Sequence, residues 1–100
     1  MKTRIQSIHF DADQKLVDYV QLRVDKLLHY YQDILEIEVF LKLDHSDERT
    51  NKIAEIKISA PGKTMFAKEQ SGTFEEATTD AVDALRRQLK KHKEKIRRGM

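Results

Sequence analysis

Residues 35–43, Leu35-Glu36-Ile37-Glu38-Val39-Phe40-Leu41-Lys42-Leu43, place an apolar side chain at every second position. Successive side chains of an extended chain point to opposite faces, so this stretch reads as a β-strand with one buried face. Ala54, Ile56, Ile58 and Ala60 repeat the pattern between Glu55, Lys57 and Ser59, after the polar loop Asp44-His45-Ser46-Asp47-Glu48-Arg49. Pro61-Gly62 marks a tight turn, and Met65 and Ala67 share one face of a further strand that ends near Ser71. Upstream, residues 2–10 (KTRIQSIHF) read as a first strand with a looser pattern, because Ile5 and Ile8 do not keep a strict period of two.

Two segments carry the helical period instead. Leu16, Val17, Val20, Val24, Leu27, Leu28 and Tyr31 recur at helical spacing over about residues 12–30, with Asp11 as the expected N-cap and Gln14 at the capping-box position. Thr73 is the expected cap of a last helix from about Phe74 to Arg97, with Glu76 at its capping-box position. Phe74, Ala77, Thr78, Ala81, Val82, Leu85, Leu89 and Ile96 form its expected buried stripe, with His92 on the same side. The order β-α-β-β-β-α then specifies the architecture. One helix makes a right-handed crossover between parallel strands, and two hairpins complete a four-stranded mixed sheet. With one sheet face apolar, both helices are expected on that face, giving an α+β two-layer sandwich over residues 1–100 as one domain.

Composition narrows the function. The chain has no Cys, which removes disulfides, thiolate metal sites and a Cys nucleophile together. No window approaches the ~18 apolar residues of a membrane span. No signal-peptide stretch follows the basic start, since Asp11 and Asp13 intervene, so a soluble, cytoplasmic protein is expected. The net charge of +2 hides a strong asymmetry. Residues 86–98 hold eight basic side chains against one acid, Glu94, while the remainder holds 11 basic and 16 acidic ones. A mildly acidic body with one concentrated cationic end attracts polyanions.

At about 100° per residue, and with Leu85, Leu89 and Ile96 inward, the terminal cations fall into two rows. Arg86, Lys90, Lys93 and Arg97 take one flank; Arg87, Lys91, Lys95 and Arg98 take the other. Each row suits a phosphate backbone. Eight positives exceed what complementing the helix dipole requires. On the first helix, Arg23 and Lys26 are i, i+3 neighbours that add a second positive contact if the two helices lie side by side. His9, His29, His45 and His92 are dispersed, no pair has metal-ligand spacing, and no nucleotide-binding or nucleophile motif is present. His45 with Asp44, Asp47 and Glu48 reads as a solvated loop rather than a metal site. Tyr30 and Tyr31 read as packing at the edge of the core. No catalytic residue, metal, cofactor or small-molecule substrate is expected.

The segment Arg87-Gln88-Leu89-Lys90-Lys91-His92-Lys93-Glu94-Lys95 resembles the end of the second helix in the ribosome hibernation-promoting factor family, also called ribosome-associated inhibitor A or sigma-54 modulation protein. Arg23-x-x-Lys26-Leu27 followed by Tyr30-Tyr31, the Asp-rich entry to the first helix, the turn at Pro61-Gly62 and Phe74-Glu75-Glu76-Ala77 agree with it. The resemblance covers essentially the whole chain and implies a fold related to double-stranded-RNA-binding domains. It further implies a partner, the small ribosomal subunit and its ribosomal RNA, bound in the channel where messenger RNA and transfer RNA pass. By position, Arg23, Lys26, Arg87, Lys91, Lys93 and Lys95 match basic residues of the family. Arg86, Lys90 and Arg97 are added from helical geometry. The chain departs from the family at Ala84, where many members carry Lys, at Glu75, where some carry Tyr, and at Thr79, where many carry Asp. The expected function is therefore translation inhibition and ribosome preservation by steric occupation of the decoding channel. The alternatives are a general double-stranded-RNA-binding module and a protein-interaction domain using the Leu85–Leu89–Ile96 stripe.

Overall fold

The computed structural model describes residues 2–46 and 49–98, apart from the side chains of Lys2, Arg97 and Arg98. Its element order is β1 (Lys2–Ser7), α1 (Gln14–Tyr30), β2 (Glu36–Leu43), β3 (Lys52–Ala60), β4 (Lys63–Ser71) and α2 (Phe74–Arg98). The sheet order follows the sequence, β1-β2-β3-β4, with β1 parallel to β2 and the other pairs antiparallel. Register aligns Ile37 with Ile58 and Val39 with Ile56, and then Ile58 with Met65 and Ile56 with Ala67. These pairs make one continuous apolar face, and α1 and α2 both pack on it. The architecture is the α+β sandwich that the alternating strands require.

The elements begin and end where local chemistry dictates. β1 stops at Ser7 rather than at residue 10, because His9 turns the backbone into the left-handed region (φ 64°). Phe10 then stacks on Phe74 at 4.9 Å with near-parallel rings, tying the entry of α1 to the entry of α2. The N-cap of α1 is Asp13, not Asp11: its Oδ1 accepts from the Leu16 amide at 2.8 Å, the span of a cap to the third helical residue. Gln14, now inside the helix, donates to Asp18 instead. At α2 the Thr73 hydroxyl accepts from the Glu76 amide at 3.0 Å, as expected. The Glu76 carboxylate completes no reciprocal box and accepts from the Ser71 hydroxyl at 2.7 Å.

β2 starts one residue later than its alternation suggested. Leu35 is 58% exposed, and Ile34, just outside the strand, is buried in its place. β3 starts earlier, at Lys52, so Ile53 is also buried. The turn between β3 and β4 uses Pro61 with Gly62 at φ 72°, a sign only glycine adopts without strain. In the preceding hairpin loop, Asp47 and Glu48 lie outside the described residues. Asp44 is committed to the hairpin: it accepts from the Ser46 hydroxyl and amide and from Gln70 Nε2. Among the described residues no group of three or more His, Cys, Asp or Glu side chains is placed to hold a metal ion. None of the described helices is long and apolar enough to cross a membrane.

The core runs from Leu16, Val20, Val24 and Leu27 of α1 to Ala77, Ala81, Leu85 and Leu89 of α2, over the sheet. It ends there. Ile96, assigned to the buried stripe by spacing, is 46% exposed, because α2 at ~1.5 Å per residue outruns a four-stranded sheet. The molecule is accordingly elongated, 48 × 23 × 17 Å. The stripe that a partner helix would need is thus spent on the chain's own sheet.

Two outcomes follow from this packing. Leu85→Ala should lower unfolding free energy by about 3 kcal/mol in chemical denaturation, and Ile96→Ala by less than about 0.5 kcal/mol. Asp44, held down to about 2 from 3.8 chiefly by the Ser46 hydroxyl, gives a stabilisation present above its unfolded value and lost as pH falls towards 2. Melting temperature measured through that window should fall less steeply for Asp44→Asn than for the parent chain.

Candidate RNA interface

The crossover and the last hairpin lay α1 beside α2, and this brings Arg23 and Lys26 to the same cleft as Arg86. The cleft has a volume of about 350 Å³ and an apolar floor that includes Leu27 and Val82. Arg23 is pinned at its mouth. Its Nε donates to the Tyr19 hydroxyl at 3.2 Å, its guanidinium lies 5.2 Å from the centre of the Tyr19 ring, and the same hydroxyl meets Thr79 Oγ1 at 2.9 Å. The Thr79 hydrogen bond lowers the Tyr19 phenol below its ordinary value, with Arg23 pulling the same way against desolvation. Thr79, one of the departures from the family pattern, is therefore the α2 anchor of an α1 arginine.

Tyr30 organises the other end of the cleft. Arg86 Cζ lies 5.3 Å and Lys93 Nζ 4.7 Å from its ring centre, and Lys93 also donates to the Tyr30 carbonyl at 3.4 Å. Two cations seven residues apart on α2 thus share one aromatic ring of α1. Such contacts contribute roughly 0.5–1 kcal/mol each at exposed sites, enough to bias the positions of otherwise free side chains. Lys90 and Lys93 border a shallow hollow against Tyr30, so this flank of α2 faces α1. The opposite flank faces the β3–β4 turn: Lys91 and Lys95 line a hollow with Lys63 and Gly62. Between them, Gln88 donates to the Phe66 carbonyl of the edge strand at 3.1 Å, a structural use for the central residue of the Arg87-Gln88-Leu89 motif.

The nine basic residues expected from the sequence are therefore not equivalent. Arg23, Lys26, Arg86, Lys90 and Lys93 gather on the α1 side, and Lys91 and Lys95 on the hairpin side. Arg87 is exposed. The side chains of Arg97 and Arg98 lie outside the described residues. Tyr30 and Tyr31 both sit at the core edge, as expected: Tyr31 is buried, edge-on to His92 at 5.7 Å, and Tyr30 is partly buried against the core while its ring also meets Arg86 and Lys93. Tyr19 carried no sequence signal, and Thr79 stood out only as a departure from the family pattern, with nothing to link the two. They lie 60 residues apart and meet only because the helices do.

The chain matches the family model for the sigma 54 modulation protein / S30EA ribosomal protein over residues 3–97. It belongs to that family. It is 30% identical over 95 residues to the ribosome hibernation promoting factor of Pseudomonas putida, covering 95% of this chain and 89% of that protein. Among solved structures, it superposes on a ribosomal subunit interface protein from Coxiella burnetii with a TM-score of 0.82 at 18% identity, covering 93% of this chain and 98% of the other. The Protein Y N-terminal domain of Thermus thermophilus gives a TM-score of 0.74 at 26% identity, with 90% and 94% coverage.

Removing the Thr79 hydroxyl tests the pinned arginine. In Thr79→Val the Tyr19 phenol should titrate at higher pH, towards the ordinary value near 10, followed by NMR of the tyrosine Cζ carbons. Arg23 Nε should become more mobile on the same sample, while the Tyr30 resonance stays in place.

Proposed function

We propose that this chain is a ribosome hibernation factor, acting through residues 1–100 as one ribosome-binding domain. It binds the RNA of the small ribosomal subunit in the decoding channel and inhibits translation by excluding messenger and transfer RNA. The observation that carries the reading is the convergence of cations from both helices on one side of a rigid sandwich: Arg23 and Lys26 of α1 share a cleft with Arg86 of α2. The names of the family relatives support the ribosome as the target.

The mechanism is steric and electrostatic. α2 extends past the core as a rod with a cationic row on each flank, so phosphates on two sides are neutralised at once. Arg86 and Lys93, drawn together by Tyr30, and Arg23, held by Tyr19, are ordered before RNA arrives, which lowers the entropic cost of binding. Arg87, Lys90, Lys91, Lys95 and Arg97 extend the contact along the rod. Structured RNA of this kind is recognised largely by shape and backbone, and a folded domain lodged in the channel leaves no room for competing RNA. No chemical step is required of the protein.

Co-sedimentation with separated ribosomal subunits across a salt series tests the proposal. With roughly five phosphate contacts, log affinity for the small subunit should fall with log salt at a slope of about −4. Arg87→Glu combined with Lys91→Glu should abolish pelleting while leaving the melting temperature unchanged. Persistence of pelleting in that variant, or equal competition by a plain RNA duplex, would overturn the reading.

A further inference from the structure

A carboxylate lies within the cationic cleft. Asp83 lines it together with Arg23, Lys26 and Arg86, is exposed, and forms no ion pair within 4.0 Å among the described residues. A cleft built only to hold phosphate is weakened by such a group, which repels the ligand. The floor is also wrong for phosphate alone, since Leu27 and Val82 are buried aliphatic residues. The wall is the Tyr30 ring with the Arg86 guanidinium set against it. An apolar floor, a guanidinium plane and cations at the rim suit a nucleotide, whose base is flat and apolar on its faces and whose phosphate is anionic. The volume, about 350 Å³, is within the ~300–1,000 Å³ range of small-ligand sites.

Asp83 selects among the bases. An ionised carboxylate only accepts hydrogen bonds, and its two oxygens accept a parallel pair best. Adenine and cytosine each place a donor beside an acceptor on the Watson–Crick edge, and uracil flanks its single donor with two carbonyls. Guanine alone presents two adjacent donors, N1–H and the N2 amino group. We propose that the cleft between α1 and α2 is a guanine-nucleotide site that receives one unpaired guanine of RNA. Asp83 accepts from N1–H and N2–H, the base lies on the Arg86 face, and Arg23 and Lys26 hold the flanking phosphate. The pinning of Arg23 by Tyr19 and Thr79 keeps its guanidinium at the mouth of the cleft rather than on Asp83. The RNA part of this inference rests on the ribosome-binding reading above; the guanine preference does not.

The test is an NMR titration of the full chain with the four ribonucleoside monophosphates, with inorganic phosphate, and with the heptamers UUUGUUU and UUUUUUU. GMP should perturb Asp83, Val82 and Tyr30 and bind roughly tenfold more tightly than AMP, CMP or UMP. Asp83→Asn, checked for an unchanged melting temperature, should bring GMP down to the level of AMP. The guanine-containing heptamer should bind more tightly than both the all-uridine heptamer and GMP. Equal perturbation by all four nucleotides and by phosphate, unaltered in Asp83→Asn, would overturn the site. GMP binding more tightly than the heptamer would overturn RNA as its source. Sedimentation separates the two claims: loss of small-subunit binding in the Arg87→Glu, Lys91→Glu variant without any guanine preference removes only this site. A guanine preference without subunit binding removes only the ribosome reading.

Discussion

Burial of Ala77, Ala81, Leu85 and Leu89 of α2 against the apolar sheet face is the constraint on which the rest depends. Those residues are fully buried, and they fix the rotation of a 25-residue helix about its own axis. Once that rotation is set, every cation from Arg86 to Lys95 has an assigned side. The stripe begins with small side chains, Ala77 and Ala81, and ends with large ones, Leu85 and Leu89, all of them without solvent exposure. A helix anchored through its first four turns holds its remaining turns in place with only a few contacts of their own, His92 on Tyr31 and Lys93 on Tyr30.

That anchoring offsets a cost. Eight like charges within 13 residues repel one another, and beyond Leu89 the one large aliphatic side chain, Ile96, stays 46% exposed. Helix formation there is sustained by propagation from the packed part and by the favourable interaction of cations with the C-terminal dipole. Tyr30 relieves part of the repulsion by placing a π-face near both Arg86 and Lys93. The outer sheet face treats its cations differently: one carboxylate, Glu55, receives both Lys42 at 3.1 Å and Lys68 at 4.0 Å. On the sheet layer cations are paired with a carboxylate, whereas in the cleft Arg23, Arg86 and Lys93 are met by aromatic rings, a hydroxyl and a carbonyl.

Ordering before binding unites the two ends of the cleft. Long basic side chains are ordinarily mobile, and fixing them costs entropy at the moment of association. Arg23 is restrained by a hydroxyl and a ring, Arg86 by a ring, and Lys93 by a ring and a carbonyl. The partners that do this are aromatic or hydroxyl side chains rather than carboxylates, so the cations are positioned without being neutralised. Asp83 stands out against this pattern as an acid left among them.

Much was legible along the chain. The alternation in residues 35–43 and 54–60, the helical stripes, the Pro61-Gly62 turn and the cationic end between Arg86 and Arg98 specify a mixed sheet with two helices, the second ending in a concentrated run of positive charge. The mixed sheet, the two helices and the concentration of charge were readable because the information is local: periodicity, turn chemistry and charge density need no knowledge of what lies across the fold. The limits of each element were less legible. Asp11 and Asp13 are equally good caps in isolation, and only the path of the chain after His9 makes Asp13 the one in place. Leu35 and Ile34 exchange roles because β2 begins only at Glu36, so both precede the strand and its alternation does not govern them. The Ile96 position continues the stripe in sequence but has no sheet beneath it. The tertiary structure alone decided which cations share a cleft. The meeting of Tyr19 with Thr79 and of Tyr30 with Arg86 and Lys93 each joins α1 to α2, and the cleft between the helices sets Asp83 among cations of both. Such pairs leave no mark in a single sequence, because their proximity is created by the sheet that both helices cover.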